Sequence, residues 1–336
     1  MQNIGPKIGV SKRVHVAVAV ITRLNDSQQK EILIAKRPLH VHQGGLWEFP
    51  GGKIEAPETV QQALARELNE ELGISFDIED LLNSCKLIQI EHDYDDKQVL
   101  LDTWEVSSFS GEPIGREGQE IKWVPVDDLS DYSFPAANKA IVSASCLARE
   151  YLITPQFESF ASAEAQLLNL YREGFRQVLF RQPSISSSTY IEWLSVLLDK
   201  QPQLRKILIL SGDPRLLGEF KVLGIQSPFR YACEIKSRPH INSSYFSVSC
   251  HSLSELKHAE SIGADFVTLS PVKQTTSHPS AVPLDWSQFE ALVSCCTIPV
   301  YALGGMSGDS LVQSVACGGQ GIAGISLWQH SNRGEI

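Results

Sequence analysis

Residues 51–74 read GGKIEAPETVQQALARELNEELGI, and they place Glu67, Glu70 and Glu71 within five consecutive positions of one short segment. Only 20% of the chain is charged. Like charges at helical spacing repel, so such a cluster either faces water or holds a cation. The pattern predicts a helix from about 57 to 72. Pro57 suits a first turn, where its missing N–H is no loss, Glu58 favours the positive end, and Gly73 supplies the stop. At about 100° per residue the three glutamates share one arc, which overlaps the arc of Val60, Ala63 and Leu64. A merely solvated face would lie opposite the apolar one. Carboxylates that border the buried stripe need a cation to stay ionised. Hard oxygen donors with no His or Cys cluster nearby select Mg²⁺, or Mn²⁺, over zinc. Beside a phosphate-bearing substrate such a metal polarises the phosphoryl group and lowers the pKa of an attacking water.

Around this helix, the first 149 residues carry alternating apolar strands: RVHVAVAVI (13–21), EILIAKR (31–37), KLIQIEHDY (86–94) and VLLDTWEV (99–106). One strong helix among such strands predicts an α+β or sandwich-like domain over residues 1–149. From residue 150 the pattern changes to short apolar runs, YLIT, QVLFR, KILIL, YFSVS, DFVTLS, IPVYALGG and GIAGIS, with helical segments such as SFASAEAQLLNLYREG and SLSELKHAESIGA between them. Repeated βα units predict a parallel sheet, and this many predict a (β/α)8 barrel over 150–336, compact and with short loops.

At 336 residues the chain exceeds one ordinary domain, and its 43% hydrophobic content argues for folded material. The formal charge of −10 gives no electrostatic reason to bind long nucleic acid or an anionic membrane. The longest early apolar run, Val16–Ile21, is too short for a signal-peptide core or a membrane span, which predicts a cytoplasmic protein. Seven cysteines without a CxxC pair argue against a disulfide framework or a zinc site.

Gly52, five residues, Glu58, seven residues and then RELNEELGI (66–74) resemble the Nudix box at every defining position. The resemblance implies an α/β/α sandwich that hydrolyses a nucleoside diphosphate linked to another group. It makes Glu67, Glu70 and Glu71 metal ligands or bases, with Glu71 the central ligand. Arg66 would orient a glutamate, the Gly51 carbonyl would add a metal ligand, and Gly52 would let the loop turn tightly against the helix.

The flanking segments AKRPLHVHQGGLWEFPGGKIE (35–55) and SGEPIGREGQEIKWVPVDDLSDYSFPAANKAIV (110–142) are similar to the MutT subfamily. That resemblance implies 8-oxo-dGTP or 8-oxo-GTP as substrate, cleaved to the monophosphate and pyrophosphate. Asn138 would hydrogen-bond the purine edge, and Phe49 would pack on the base. Arg37 and His42 would contact the nucleotide beside Glu48, Pro50 and Gly51, and Glu117 would approach the metal as an additional carboxylate. Taken alone, Asn138 reads as a helix N-cap, Phe49 as core and Glu117 as a solvated loop charge. Trp47 and Trp123 read as packing residues.

The second half resembles the thiamine phosphate synthase and TenI-like barrels. Thr275, Ser277, Gly304, Gly305, Ile325 and Ser326 fall where the late barrel loops would cradle the phosphate of a phosphorylated thiazole or thiamine. This chain departs from the synthase pattern at FRQP (Gln182, Pro183), SGDP (211–214), GIQSPF (224–229) and TTSH (His278). The expectation is therefore a repurposed barrel that binds a ligand or serves as an accessory. Two alternatives stand beside the 8-oxo-dGTP reading: hydrolysis of thiamine diphosphate or an analogue, and a non-catalytic barrel that regulates the first half.

Overall fold

The structure, a computed structural model, describes residues 13–41, 43–76, 84–93, 98–275 and 281–327. His42, Ser277 and His278 lie outside the described residues. The chain forms two compact units, residues 1–145 and 146–336. Among the described residues no helix is long and apolar enough to cross a membrane.

The first unit is built on β1 (Arg13–Leu24), whose alternation puts Ala17, Ala19 and Ile21 on one apolar face. β1 pairs antiparallel with β2 (Lys30–Lys36) and parallel with β6 (Gln98–Val106), and β6 pairs antiparallel with β5 (Cys85–Asp93). Three short strands complete this mixed sheet. β3 (Trp47–Glu48) and β7 (Ile121–Pro125) pair with β2, and β4 (Gly51–Lys53) pairs with β1.

Helix α1 spans Val60–Leu72, three residues shorter at its start than its sequence predicts. The reason is Thr59. Its hydroxyl accepts from the Gln62 N–H at 3.2 Å, and its own N–H donates to the Gln62 side chain at 2.8 Å. This capping box satisfies two N–H groups that would otherwise lack partners, so Pro57 and Glu58 stay outside the helix. Gly73, at φ 73° in the left-handed region, ends it as expected. Ala63, Leu64, Leu68 and Leu72 are fully buried against the Ala17–Ala19–Ile21 face. Each buried leucine contributes about 1.5–3 kcal/mol. The sheet thereby fixes the roll of α1 about its axis, and with it the direction of the glutamates.

The second unit is a closed barrel of eight parallel strands: β8 (Glu150–Ile153), β9 (Val178–Phe180), β10 (Leu208–Ser211), β11 (Gly224–Pro228), β12 (Tyr245–Cys250), β13 (Phe266–Leu269), β14 (Val300–Leu303) and β15 (Gly321–Gly324). Seven of these were legible as apolar runs. β11 was not, because GIQSP puts an amide and a hydroxyl where strands ordinarily show branched apolar residues. Both are buried, and Gln226 points to the lumen. It accepts from the Tyr151 hydroxyl at 2.9 Å and donates to the Ser249 hydroxyl at 2.9 Å. The compactness expected of the barrel is achieved by crossovers that shrink to single-turn helices, Pro214–Leu217 and Phe229–Ala232.

Candidate active site

In the first unit α1 and the β4 strand before it meet edge to edge. Gly51 donates its N–H to Glu71 Oε2 at 3.2 Å, and the Glu67 carboxylate lies over the α-carbon of Gly52. Gly51 itself, at φ 144°, passes so close to β1 that a β-carbon would lie 2.1 Å from the Ala17 carbonyl oxygen. Glu67 is 17% exposed and Glu70 59% exposed, so Glu67 borders the buried stripe while Glu70 faces outward.

Arg66 organises the cluster. Its Nε and Nη2 grip Glu58 in a two-point pair at 2.7 and 2.9 Å, Nη1 donates to Glu67 Oε1 at 2.8 Å, and Nη2 also reaches the Lys53 carbonyl at 2.9 Å. Glu70 lies 3.5 Å from the same guanidinium. The Arg66 hydrogen bonds hold the Glu58 carboxyl down at about 2. Pairing raises the Arg66 pKa as well.

Glu71 behaves in the opposite way. Burial pushes its carboxyl up to about 8, and the charges of Glu48, Glu67 and Glu117 push in the same direction against the Gly51 hydrogen bond. Glu48 is also raised by burial, against the pull of Arg37, with which it forms an ion pair through Oε2 and Nη1. Glu71 therefore lies within electrostatic reach of Glu48, Glu67 and Glu117, and Glu117 itself is exposed on the loop after β6. Among the described residues no three acidic, His or Cys side chains converge as a finished ligand set. The donor chemistry still fits a hard divalent cation, since crowded carboxylates that disfavour ionisation are relieved by one.

Other expected residues fall in less exposed places. Phe49 is 4% exposed and stacks on Phe134, ring centroids 5.4 Å apart. Pro50 is buried, and its carbonyl accepts the Ala19 N–H. Asn138 is no helix N-cap. It closes the 3-10 turn Ala136–Asn138, half-buried, and runs straight into α2 (Lys139–Cys146). Trp47 packs edge-on against Tyr132, and Trp123 stacks on Phe109.

Two residues with no assigned part in the sequence reading are engaged here. The Arg116 guanidinium donates to the Asn69 carbonyl at 3.0 Å, and the Gln119 side chain to the Glu71 carbonyl at 3.0 Å. No sequence signal points to these two residues; α1 carries no basic residue in its last turn, and its carbonyls take donors from elsewhere.

In the barrel, Gly304 and Gly305 both adopt positive φ, 98° and 66°, with the 271–275 loop packed over them. The Ser326 hydroxyl donates to the Met306 carbonyl, Ile325 is 41% exposed, and Thr275 is half-buried. The departures from the synthase pattern have structural partners. Gln182 accepts from the Phe157 N–H at 2.9 Å and donates to the Pro155 carbonyl at 2.9 Å, which ties the turn after β8 to the end of β9. Asp213 is clamped by Arg215 at 2.9 and 2.8 Å.

Comparison with known proteins agrees with this division. Residues 18–144 match the NUDIX domain family and residues 150–327 the thiamine monophosphate synthase family. The 8-oxo-dGTP diphosphatase of Escherichia coli (strain K12) is 36% identical over 132 residues, 39% of this chain and 95% of that protein. The CTP pyrophosphohydrolase of the same organism is 33% identical over 133 residues, 40% of this chain and 91% of that protein. A putative thiamine-phosphate synthase 2 of Aquifex aeolicus (strain VF5) is 45% identical over 80 residues, 24% of this chain and 43% of that protein. Those 80 residues are less than half of that relative's length. The chain thus belongs to both families at once, a MutT-like Nudix domain fused to a thiamine phosphate synthase/TenI domain.

Proposed function

We propose that the Nudix domain hydrolyses 8-oxo-dGTP, and 8-oxo-GTP, to the nucleoside monophosphate and pyrophosphate with Mg²⁺, or Mn²⁺, as cofactor. The consequence of that reaction would be a nucleotide pool cleared of an oxidised, mispairing guanine. What supports the reading most is the half-buried Glu71 carboxyl, pushed up by burial and by the charges of Glu48, Glu67 and Glu117, hard oxygen donors whose mutual repulsion a divalent cation would relieve. Glu67, Glu70, Glu71 and the Gly51 carbonyl would hold the metal. When bound it would polarise the phosphoryl oxygens and supply a more acidic water.

The chain's own groups then divide the work. Arg66 keeps Glu67 aimed over Gly52, and a carboxylate of the cluster takes the proton from the attacking water. Arg37, ion-paired with Glu48, presents a cation on the substrate side, and Asn138 offers an amide that both donates and accepts in one plane to the purine edge. For the barrel we propose binding of a small phosphorylated ligand, of the thiazole or thiamine kind, without synthase chemistry. The engagement of Gln182 and Asp213 in structural bonds supports this.

The test is a hydrolysis panel on the full-length protein with Mg²⁺, containing 8-oxo-dGTP, dGTP, CTP and thiamine diphosphate, with products resolved. Preferential release of 8-oxo-dGMP and pyrophosphate is the expected result. Preference for CTP, the substrate named for one relative, or for thiamine diphosphate would overturn it.

A further inference from the structure

The segment after β6 docks onto the last turn of α1 through main-chain and side-chain bonds. The Ile114 N–H donates to the Leu72 carbonyl at 3.0 Å, the Arg116 N–H to the Glu71 carbonyl at 2.9 Å, and the Arg116 guanidinium to the Asn69 carbonyl. Gln119 does something the others do not. Its Nε2 donates to the Glu71 carbonyl at 3.0 Å while its Oε1 accepts the Glu117 N–H at 2.9 Å. One side-chain amide therefore joins the backbone of Glu71 to the backbone of Glu117. The turn that permits this is tight: Gly118 donates to the Gly115 carbonyl at 3.2 Å, and a β-carbon on Gly115 would lie 2.0 Å from the Gln119 carbonyl oxygen.

Glu117 is exposed, and the main-chain bonds of Ile114 and Arg116 hold the loop on α1 only as far as residue 116; the Gln119 amide carries that hold on to the Glu117 backbone. We propose that Gln119 is a positioning residue that holds Glu117 beside Glu71 and so sets the spacing of the metal-binding carboxylates, a role that rests on the hydrolase reading above. Arg116 supports the same helix end but touches nothing on Glu117 beyond the chain bond. It separates the tie from simple capping.

The experiment is Mn²⁺ binding to the full-length protein without substrate, followed by electron paramagnetic resonance, in wild type, Gln119→Met and Arg116→Met. Methionine matches each side chain's apolar reach and removes its hydrogen bonds. Loss of a group that orients metal ligands weakens affinity about 10–100-fold, and that loss is expected for Gln119→Met. Arg116→Met is expected to bind Mn²⁺ within about twofold of wild type while unfolding at lower temperature, as loss of a helix-end donor does. Gln119→Asn, one methylene too short to reach both partners, gives the same loss of affinity should the methionine variant misfold. Wild-type affinity in the Gln119 variants, or equal weakening in Gln119→Met and Arg116→Met, overturns the tie and leaves the hydrolase reading standing. A wild-type protein that binds no Mn²⁺ overturns both.

Discussion

The carboxylate of Glu67 occupies the space that a side chain at Gly52 would need: a β-carbon there would lie 2.1 Å from its Cδ and 2.2 Å from each oxygen. The glycine is the floor on which the glutamate rests. Gly52→Ala therefore has to displace the carboxylate, and a shift of about 1 Å in a catalytic group costs about 100-fold in rate. The expected result is a folded variant by circular dichroism with kcat reduced on that scale. An alanine variant with wild-type kcat would show that Glu67 is not needed where it stands.

Arg66 meets Glu58 at two points and Glu67 at a third. A lysine has the charge without the planar fork. Arg66→Lys is expected to lose about 10–100-fold in activity, with much of the loss in the metal-concentration dependence. Steady-state kinetics against Mg²⁺ concentration would show it.

The same pair makes a prediction about acid. Glu58 is held at about 2 in the fold against 4.5 for the free group. Its stabilising contribution is complete above about pH 4.5 and is lost as pH falls toward 2. Glu58→Gln is expected to flatten the fall of the thermal midpoint across that window, with little change at pH 7 in its pH slope. Midpoints of the first domain measured from pH 6 to pH 2.5 in both proteins test it.

Glu71 has the opposite linkage. Its carboxyl, raised to about 8, costs the metal-free fold nothing below pH 4.5 and progressively more as pH rises to 8. Glu71→Gln is expected to abolish turnover, by about 10²–10⁴-fold if the group acts as base, yet to melt at or above wild type in metal-free buffer at pH 8.5. A variant that is both inactive and less stable under those conditions would point to a structural role.

In the barrel, Gln182 is 6% exposed and bonded at both ends of its amide. Gln182→Leu leaves the Phe157 N–H and the Pro155 carbonyl without those partners, at about 1–3 kcal/mol. Urea unfolding of the full-length protein is expected to show that loss in the barrel transition.

Much of this architecture is written in local patterns. The apolar run of β1 and the 3.6-residue apolar stripe of α1 each specify buried positions, and β1 and the body and C-terminal end of α1 form where the pattern places them. The start of α1 was misplaced because a side-chain cap at Thr59 outweighs the backbone preference of Pro57. β11 was missed because its lumen-facing Gln226 finds partners on strands that are distant in sequence, Tyr151 and Ser249. Of the candidate site, spacing singles out Glu67, Glu70 and Glu71, whereas Glu48 and Glu117 enter only through the MutT resemblance. Arg116 and Gln119 were not legible, since their partners are main-chain carbonyls more than 40 residues away, and backbone atoms leave no trace in a sequence.

Gln226 has a consequence for how the barrel closes. Side chains on a strand alternate between faces, so a slip of β11 by one residue would turn the amide out among the helices and bring Ile225 or Ser227 into the lumen. Tyr151, fully buried, would lose the acceptor for its hydroxyl. An apolar lumen tolerates many such slips at modest cost, whereas an amide bonded to β8 and β12 at once accepts a single alignment of the three strands. The polar centre of this barrel acts as a key to its register.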